Sequence, residues 1–205
     1  MMSMSISYEE TGRTRQKGRT RAGLVSAART LMAEGTTPTV EQAAATASVA
    51  RATAYRYFPN QRSLLAAAAP DLTQPSLLGD DPPPDPEARL EIVVDAITRQ
   101  SIDHETELRN MLRLSLEPDR GRREGLPFRK GRRIGWVGEA LEPLRSRLGD
   151  DRLQRLVHAI AASVGIDSLV WLTDIAGLSR REAAELMRWS ALALLRAALD
   201  ESGSV

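Results

Sequence analysis

Cysteine is absent from the 205-residue chain, which excludes a disulfide framework and catalysis by a thiolate. Histidine is scarce as well: His104 and His158 are the only two, and they do not have the H-x-x-x-H spacing of a zinc site. No apolar run reaches the roughly 18 residues that cross a bilayer, and the N-terminus lacks the apolar core of a secretion signal. We therefore expect a cytoplasmic protein that is not an enzyme and that uses no metal or cofactor.

Strand signals are also missing, because aromatic residues make up only 4% of the chain and no segment alternates apolar and polar residues. Apolar residues recur instead at the i, i+3, i+4, i+7 spacing of a buried helix face, as in Leu90, Val93, Val94 and Ile97. The sequence thus predicts an all-α protein. Because prolines cluster between residues 70 and 86, we divide the chain into a disordered tail at 1–12, a module at 13–69, a linker at 70–86 and a helical body at 87–205.

Individual side chains mark the helix ends of the body. Asp85, followed by a proline, is typical of a helix N-cap. Pro143 should kink or split the helix in which it lies. Ser179 and Glu182 have the spacing of a capping box, which predicts that the last helix begins there.

The stretch from residue 39 to residue 65 carries the clearest functional pattern. Thr39 and Gln42 have the spacing of a capping box, and a short alanine-rich helix should follow at about residues 40–46. Ser48 lies in the middle of a three-residue break, after which a second short helix is expected at about residues 50–58, where Pro59 ends it. Two short helices joined by such a turn are typical of a helix-turn-helix, whose second helix enters the DNA major groove.

This stretch resembles the DNA-binding region of the TetR family of bacterial transcription regulators. The matching positions are Ala47, Val49, Thr53, Tyr55, Phe58, Pro59, Asn60 and Leu64. Four positions differ from the family pattern: Ser48 replaces the turn glycine, Ala50 a serine cap, Tyr57 a common histidine and Gln61 a lysine that commonly meets a phosphate. The resemblance implies a homodimeric regulator, usually a repressor, whose three-helix N-terminal domain binds a near-palindromic operator and whose C-terminal helical domain binds a small-molecule effector.

Charge is distributed unevenly along the chain. Residues 1–70 contain nine basic and four acidic side chains, a net charge of +5, so the remaining residues carry −4 within the total of +1. Charge alone is equally typical of a solvated surface, but beside a helix-turn-helix it favours double-stranded DNA as the partner. We expect Arg51, next to the small Ala52, to read a guanine edge. Phosphate contacts are expected from Thr39, Thr53, Tyr55, Tyr57 and Gln61.

The last two predicted helices, residues 151–175 and 180–199, are apolar over a wide arc that includes Leu195. A helix that is apolar nearly all round is buried on two sides. We expect a second copy of the chain to cover the second side, and the resemblance likewise implies a homodimer through the two C-terminal helices. A fully buried core within one copy is the alternative.

A hydrophobic or amphipathic effector needs a mostly apolar cavity with a few polar groups. The body offers both kinds of side chain, and the expected ligand-binding residues are Asn110, Met111, Arg113, Ser115, Trp136, Ser163, Asp167 and Trp171. Two other interpretations stay open. One is an all-α enzyme or small-molecule carrier that uses the two histidines and nearby aspartates, and the other is a regulator-like adaptor that no longer binds DNA.

Overall fold

The computed structural model describes residues 5–70, 74–116 and 131–203, with side chains from residue 16 to residue 202 within these ranges. All regular elements in these ranges are helices, which confirms the all-α fold class. The chain divides into two compact units, residues 1–70 with 113–127 and residues 71–112 with 128–205.

The first unit contains the helices α1 (Ser5–Ala33), α2 (Val40–Thr46), α3 (Arg51–Tyr57) and α4 (Gln61–Ala68). Helix α1 lies against the other three, and α2 also packs on α3. Their contact faces bury apolar side chains, among them Leu24, Met32 and Leu64. Arg29 of α1 donates hydrogen bonds of 3.1 Å to the carbonyl oxygens of Ala68 and Ala69. These bonds provide partners for carbonyl groups that the C-terminal end of α4 leaves without one inside the helix.

Helix α1 begins at Ser5, whereas the sequence predicts a disordered tail over residues 1–12. A helix extends at little cost from a nucleus that is already formed. The nucleus here is the part of α1 that is buried around Leu24 and Ala28. The helical hydrogen-bond ladder therefore continues back into polar sequence as far as residue 5, and residues 1–4 lie outside the described ranges.

The second unit contains α5 (Pro86–Asp103), most of α6 (Glu105–Ser115), α7 (Arg132–Leu141), α8 (Arg145–Leu148), α9 (Asp150–Ser163), α10 (Ile166–Val170) and α11 (Arg180–Gly203). Four of these helices form a closed ring of packed neighbours, because α5 contacts α7 and α11, and α9 contacts the same two. Their apolar faces meet in one core, whose fully buried members include Leu90, Val93, Leu141, Ile160 and Leu195.

Three helix boundaries of the second unit lie where the sequence signals predict them. Asp85 accepts a 2.9 Å hydrogen bond from the Ala88 amide and so caps α5. The side chains of Ser179 and Glu182 each accept a bond from the other's backbone amide, a complete capping box at the start of α11. Pro143 lies in a short 3₁₀ segment that separates α7 from α8.

The helix predicted over residues 151–175 is divided in the structure into α9, α10 and a final π-helical turn, Trp171–Ile175. Gly165, between α9 and α10, has a φ of 99°, and a Cβ at this position would overlap the guanidinium of Arg133. Arg133 of α7 donates to the Val164 carbonyl and to both carboxylate oxygens of Asp167. A side chain from another helix therefore contacts both sides of the break, and the periodicity of residues 151–175 does not reveal this contact.

The segment predicted as a linker belongs to the second unit from residue 74 onward. Leu78 is only 7% exposed and is part of the core of that unit. The Trp136 indole donates a 3.0 Å hydrogen bond to the Gln74 carbonyl, and Ser76 donates a 2.9 Å bond to Glu139. One apolar anchor and two polar contacts with α7 thus order a proline-rich stretch, while residues 71–73 lie outside the described ranges.

No single helix in the described ranges is long and apolar enough to cross a membrane. Helix α9 and residues 166–175 reach the length and apolar composition of a membrane span only when they are taken together, and they are bent by 43° relative to each other. The apolar side chains Leu153, Ile160 and Leu169 of this pair are buried in the core of the second unit.

Candidate DNA interface

The turn between α2 and α3 is a Schellman motif with a serine at its left-handed position. The Val49 amide bonds to the Ala44 carbonyl at 2.9 Å, and the Ser48 amide bonds to the Ala45 carbonyl at 3.1 Å. Ser48 has a φ of 53°, a conformation that glycine adopts more easily than a residue with a Cβ. The hydrogen bonds of the motif therefore hold the turn in shape although serine replaces the glycine of the family pattern.

Helix α3 presents its first turn to solvent. The Arg51 side chain is 74% exposed and Ala52 is exposed beside it, whereas Ala54 is fully buried. Thr53 and Tyr57 are partly buried. A helix that is anchored through Ala54 and exposes Arg51 with Ala52 has the arrangement of a recognition helix, in which residues near the N-terminus reach the base edges.

Glu41 of α2 brings together two of the residues expected to contact DNA. Its Oε1 atom lies 2.9 Å from Arg51 Nη2 and accepts a 2.5 Å hydrogen bond from the Tyr55 hydroxyl. The Arg51 guanidinium carbon also lies 5.8 Å from the centroid of the Tyr55 ring. The bond from Tyr55 is the largest influence holding the pKa of Glu41 below its usual value, and the same bond raises the pKa of Tyr55. Only the crossing of α2 and α3 creates this cluster, so sequence spacing does not predict it.

Thr39 and Gln61 form hydrogen bonds within the first unit. Thr39 Oγ1 accepts a 3.2 Å bond from the Gln42 amide, and the Gln42 side chain accepts a 2.8 Å bond from the Thr39 amide, as the capping-box pattern predicts. The Gln61 side-chain amide donates to the carbonyl oxygens of Thr37 and Pro38, at 3.3 and 3.0 Å. A phosphate contact by Gln61 would therefore replace a bond that it already makes inside the protein.

Basic side chains extend the exposed surface from α3 onto α1. Lys17, Arg19 and Arg21 are exposed, and the Arg21 guanidinium carbon lies 5.4 Å from the centroid of the Phe58 ring at the end of α3. The contact of Arg21 with Phe58 links the basic part of α1 to the end of the recognition helix. The first unit thus offers cations to DNA phosphates on two helices.

The residues expected to bind an effector are distributed over several places. Asn110, Met111 and Trp136 are buried in the second unit. Arg113 is exposed and Ser115 is partly buried, both at the end of α6. The other three lie together in one groove, which α9, α10 and α11 form.

This groove has a volume of about 450 Å³ and includes Ser163, Asp167 and Trp171. Its opposite wall consists of Leu186 and Met187 from α11. Asp167 is held in place there by its ion pair with Arg133. Sequence analysis missed the contribution of α11, because the two walls of the groove belong to helices that no local pattern connects.

A model of the family described as bacterial regulatory proteins, tetR family, matches residues 24–68. The match extends from the buried part of α1 to the end of α4 and contains all seven residues expected to contact DNA. No curated protein and no solved structure matches the chain. On the family model and on the helix-turn-helix that α2 and α3 form, residues 24–68 are a DNA-binding domain of the kind found in the TetR family of bacterial regulatory proteins.

Proposed function

We propose that the chain is a transcriptional repressor that binds a near-palindromic operator as a homodimer and releases it when a small-molecule effector binds. The observation that carries this proposal is the exposed pair Arg51 and Ala52 at the start of α3, within the domain that the TetR family model matches. An arginine can donate to O6 and N7 of one guanine, and an adjacent alanine allows the helix to approach the base edges closely. The exposed cations of α1 would bind the flanking phosphates.

The dimer part of the proposal is supported by large apolar side chains at the surface of the second unit. Trp171, Ile175 and Trp189 are 58%, 72% and 65% exposed, and Leu186 is 38% exposed. We infer that these four side chains form one exposed apolar patch, and patches of this kind mark protein interfaces. Packing of the patch against a second copy of the chain would remove all four from water. Leu195, by contrast, is fully buried in the core of one copy, so it belongs to that core and not to the proposed interface.

The effector part of the proposal is supported by the groove between α9, α10 and α11. Its volume of about 450 Å³ falls within the span of about 300–1,000 Å³ that is usual for small-molecule sites. Its apolar walls with Ser163 and Asp167 suit a hydrophobic or amphipathic ligand. Trp171 and Leu186 belong to both the groove and the exposed patch, so a ligand there would alter the packing of the two copies. We expect a coupling of about 1–3 kcal/mol between effector and operator.

Selection of randomised DNA duplexes by the purified protein, followed by fluorescence anisotropy, tests the DNA part of the proposal. The selected duplexes should contain two inverted half-sites. Their affinity should fall about 10³–10⁵-fold between roughly 50 and 200 mM salt if the dimer neutralises about six to ten phosphates. Binding that does not depend on salt would contradict the assigned surface, and a protein that selects no duplex would favour the adaptor interpretation.

Replacement of Arg51 by alanine should lower the discrimination against a changed guanine by about 1–3 kcal/mol at one base pair per half-site. Arg155→Ala is a matched control. Like Arg51, Arg155 is largely exposed, at 71%, and pairs with a glutamate at 2.9 Å, but it lies on α9 in the second unit. Equal losses of discrimination in the two variants would refute the role of Arg51.

A further inference from the structure

An acidic side chain stands within the surface that the proposed function assigns to DNA. The Glu41 side chain is 38% exposed and lies beside Arg51, the residue proposed to read a base. A carboxylate in this position repels phosphates and so weakens the attraction of the first unit for any DNA. A protein with a neutral residue at position 41 would bind DNA more tightly. The contacts of Glu41 indicate a different role for its charge.

The ion pair with Glu41 leaves most of the Arg51 guanidinium available. Glu41 engages the Nη2 atom. A guanidinium carries five N–H donors in a rigid planar fork, and a guanine edge takes up two of them. Glu41 and a guanine can therefore bind Arg51 at the same time, the carboxylate on one edge of the guanidinium and the base on another.

Tyr55 restricts the side-chain conformations of both Glu41 and Arg51. Its hydroxyl donates the 2.5 Å hydrogen bond to the Glu41 oxygen that also faces Arg51, and its ring lies 5.8 Å from the guanidinium carbon. An exposed arginine loses rotamer freedom when it binds a base. Contacts that restrict Arg51 before DNA arrives reduce this loss for the one orientation that they favour.

We propose that Glu41 is a positioning residue for sequence readout, which orients Arg51 toward one base edge and lowers the affinity for DNA that lacks a guanine at that position. The inference rests on the proposed function, because it requires DNA bound at α3. It assigns to Glu41 a gain in discrimination together with a loss in total affinity. A residue that only stabilised the fold would not produce this combination.

The test compares Glu41→Gln with Glu201→Gln, which removes the glutamate that pairs with Arg155 at 2.9 Å in the second unit. Each variant, once its helical circular dichroism matches the wild type, is measured by anisotropy on the duplex that the wild-type protein selects. The same measurement is repeated on duplexes with single base pairs changed. The base pair read by Arg51 is the one whose change the Arg51→Ala variant no longer detects.

Glu41→Gln should bind the changed duplexes more tightly than the wild type does. It should lower the discrimination roughly three- to five-fold at the base pair read by Arg51 and leave the other base pairs unaffected. Glu201→Gln should change neither quantity. Unchanged discrimination in Glu41→Gln, or an equal loss at every base pair, would overturn the inference and leave the proposed function intact. A wild-type protein that selects no duplex would refute both.

Discussion

Replacement of Ser48 by glycine should raise the free energy of unfolding of the first unit. Ser48 has a φ of 53°, and a left-handed conformation costs a residue with a Cβ about 1–2 kcal/mol. Glycine avoids this cost but loses about 0.5–1 kcal/mol more conformational free energy on folding. With both effects at the middle of their ranges, the difference predicts a net stabilisation of about 0.75 kcal/mol.

The neighbouring residue provides the control. Ala47 has a φ of −81° and a ψ of 0°, a right-handed conformation that alanine adopts without strain. Ala47→Gly therefore brings only the entropic cost and should destabilise the first unit by about 0.5–1 kcal/mol. The same amino acid introduced at two adjacent positions should thus have effects of opposite sign.

Amide hydrogen exchange is the appropriate assay for this pair of variants. The three tryptophans, Trp136, Trp171 and Trp189, all lie in the second unit, so tryptophan fluorescence does not report on the turn. The Val49 amide, which bonds to the Ala44 carbonyl at 2.9 Å, reports on it directly. Its exchange should become about two- to five-fold slower in Ser48→Gly and faster by a similar factor in Ala47→Gly, where exchange follows the opening equilibrium. Faster exchange in both variants would refute the argument from φ.

Charge on the exposed apolar patch should separate the two copies of the proposed dimer. For Trp189→Glu, light scattering should give the mass of one 22.5 kDa chain, and the helical circular dichroism should be unchanged. Leu195→Glu, which places a charge in the core, should instead unfold the second unit. A wild-type mass of one chain would contradict the dimer. A second expectation concerns acid. The hydrogen bonds from Arg109 and then from Thr173 lower the pKa of Asp174 from 3.8 to about 2, so its stabilising contribution is complete above pH 3.8 and is lost as the pH falls toward 2. Urea midpoints from tryptophan fluorescence should decrease less over this interval in Asp174→Asn than in the wild type, and equal decreases would contradict the ion pair.

Helix ends that are marked by a capping side chain or a proline were predictable, because these signals depend on residues within one turn. The sequence places the first helix of the helix-turn-helix at about residues 40–46, and the structure has it at Val40–Thr46. The cap at Asp85 and the break at Pro143 follow from equally local chemistry. The seven residues expected to contact DNA belong to the same local pattern, and all lie within the range that the family model matches.

Contacts between helices were not predictable, because spacing along one helix does not show which part of a wide apolar arc faces the core. Leu195 and Trp189 belong to the same arc of α11, yet the first is fully buried and the second is 65% exposed. Glu41 was overlooked for the same reason. Its importance depends on Arg51 and Tyr55, which reach it from another helix.

The contact of Arg133 with the break between α9 and α10 also restricts how this sequence can vary. A Cβ at position 165 would overlap the guanidinium, and the φ of 99° already disfavours any residue except glycine. A residue other than glycine at position 165 would therefore carry backbone strain and would also displace the Arg133 guanidinium, so that Asp167 would lose its cation. In related chains that have another residue at position 165, the side chains at positions 133 and 167 should therefore differ as well. A contact between two helices of the folded protein would then be recorded as covariation among its relatives.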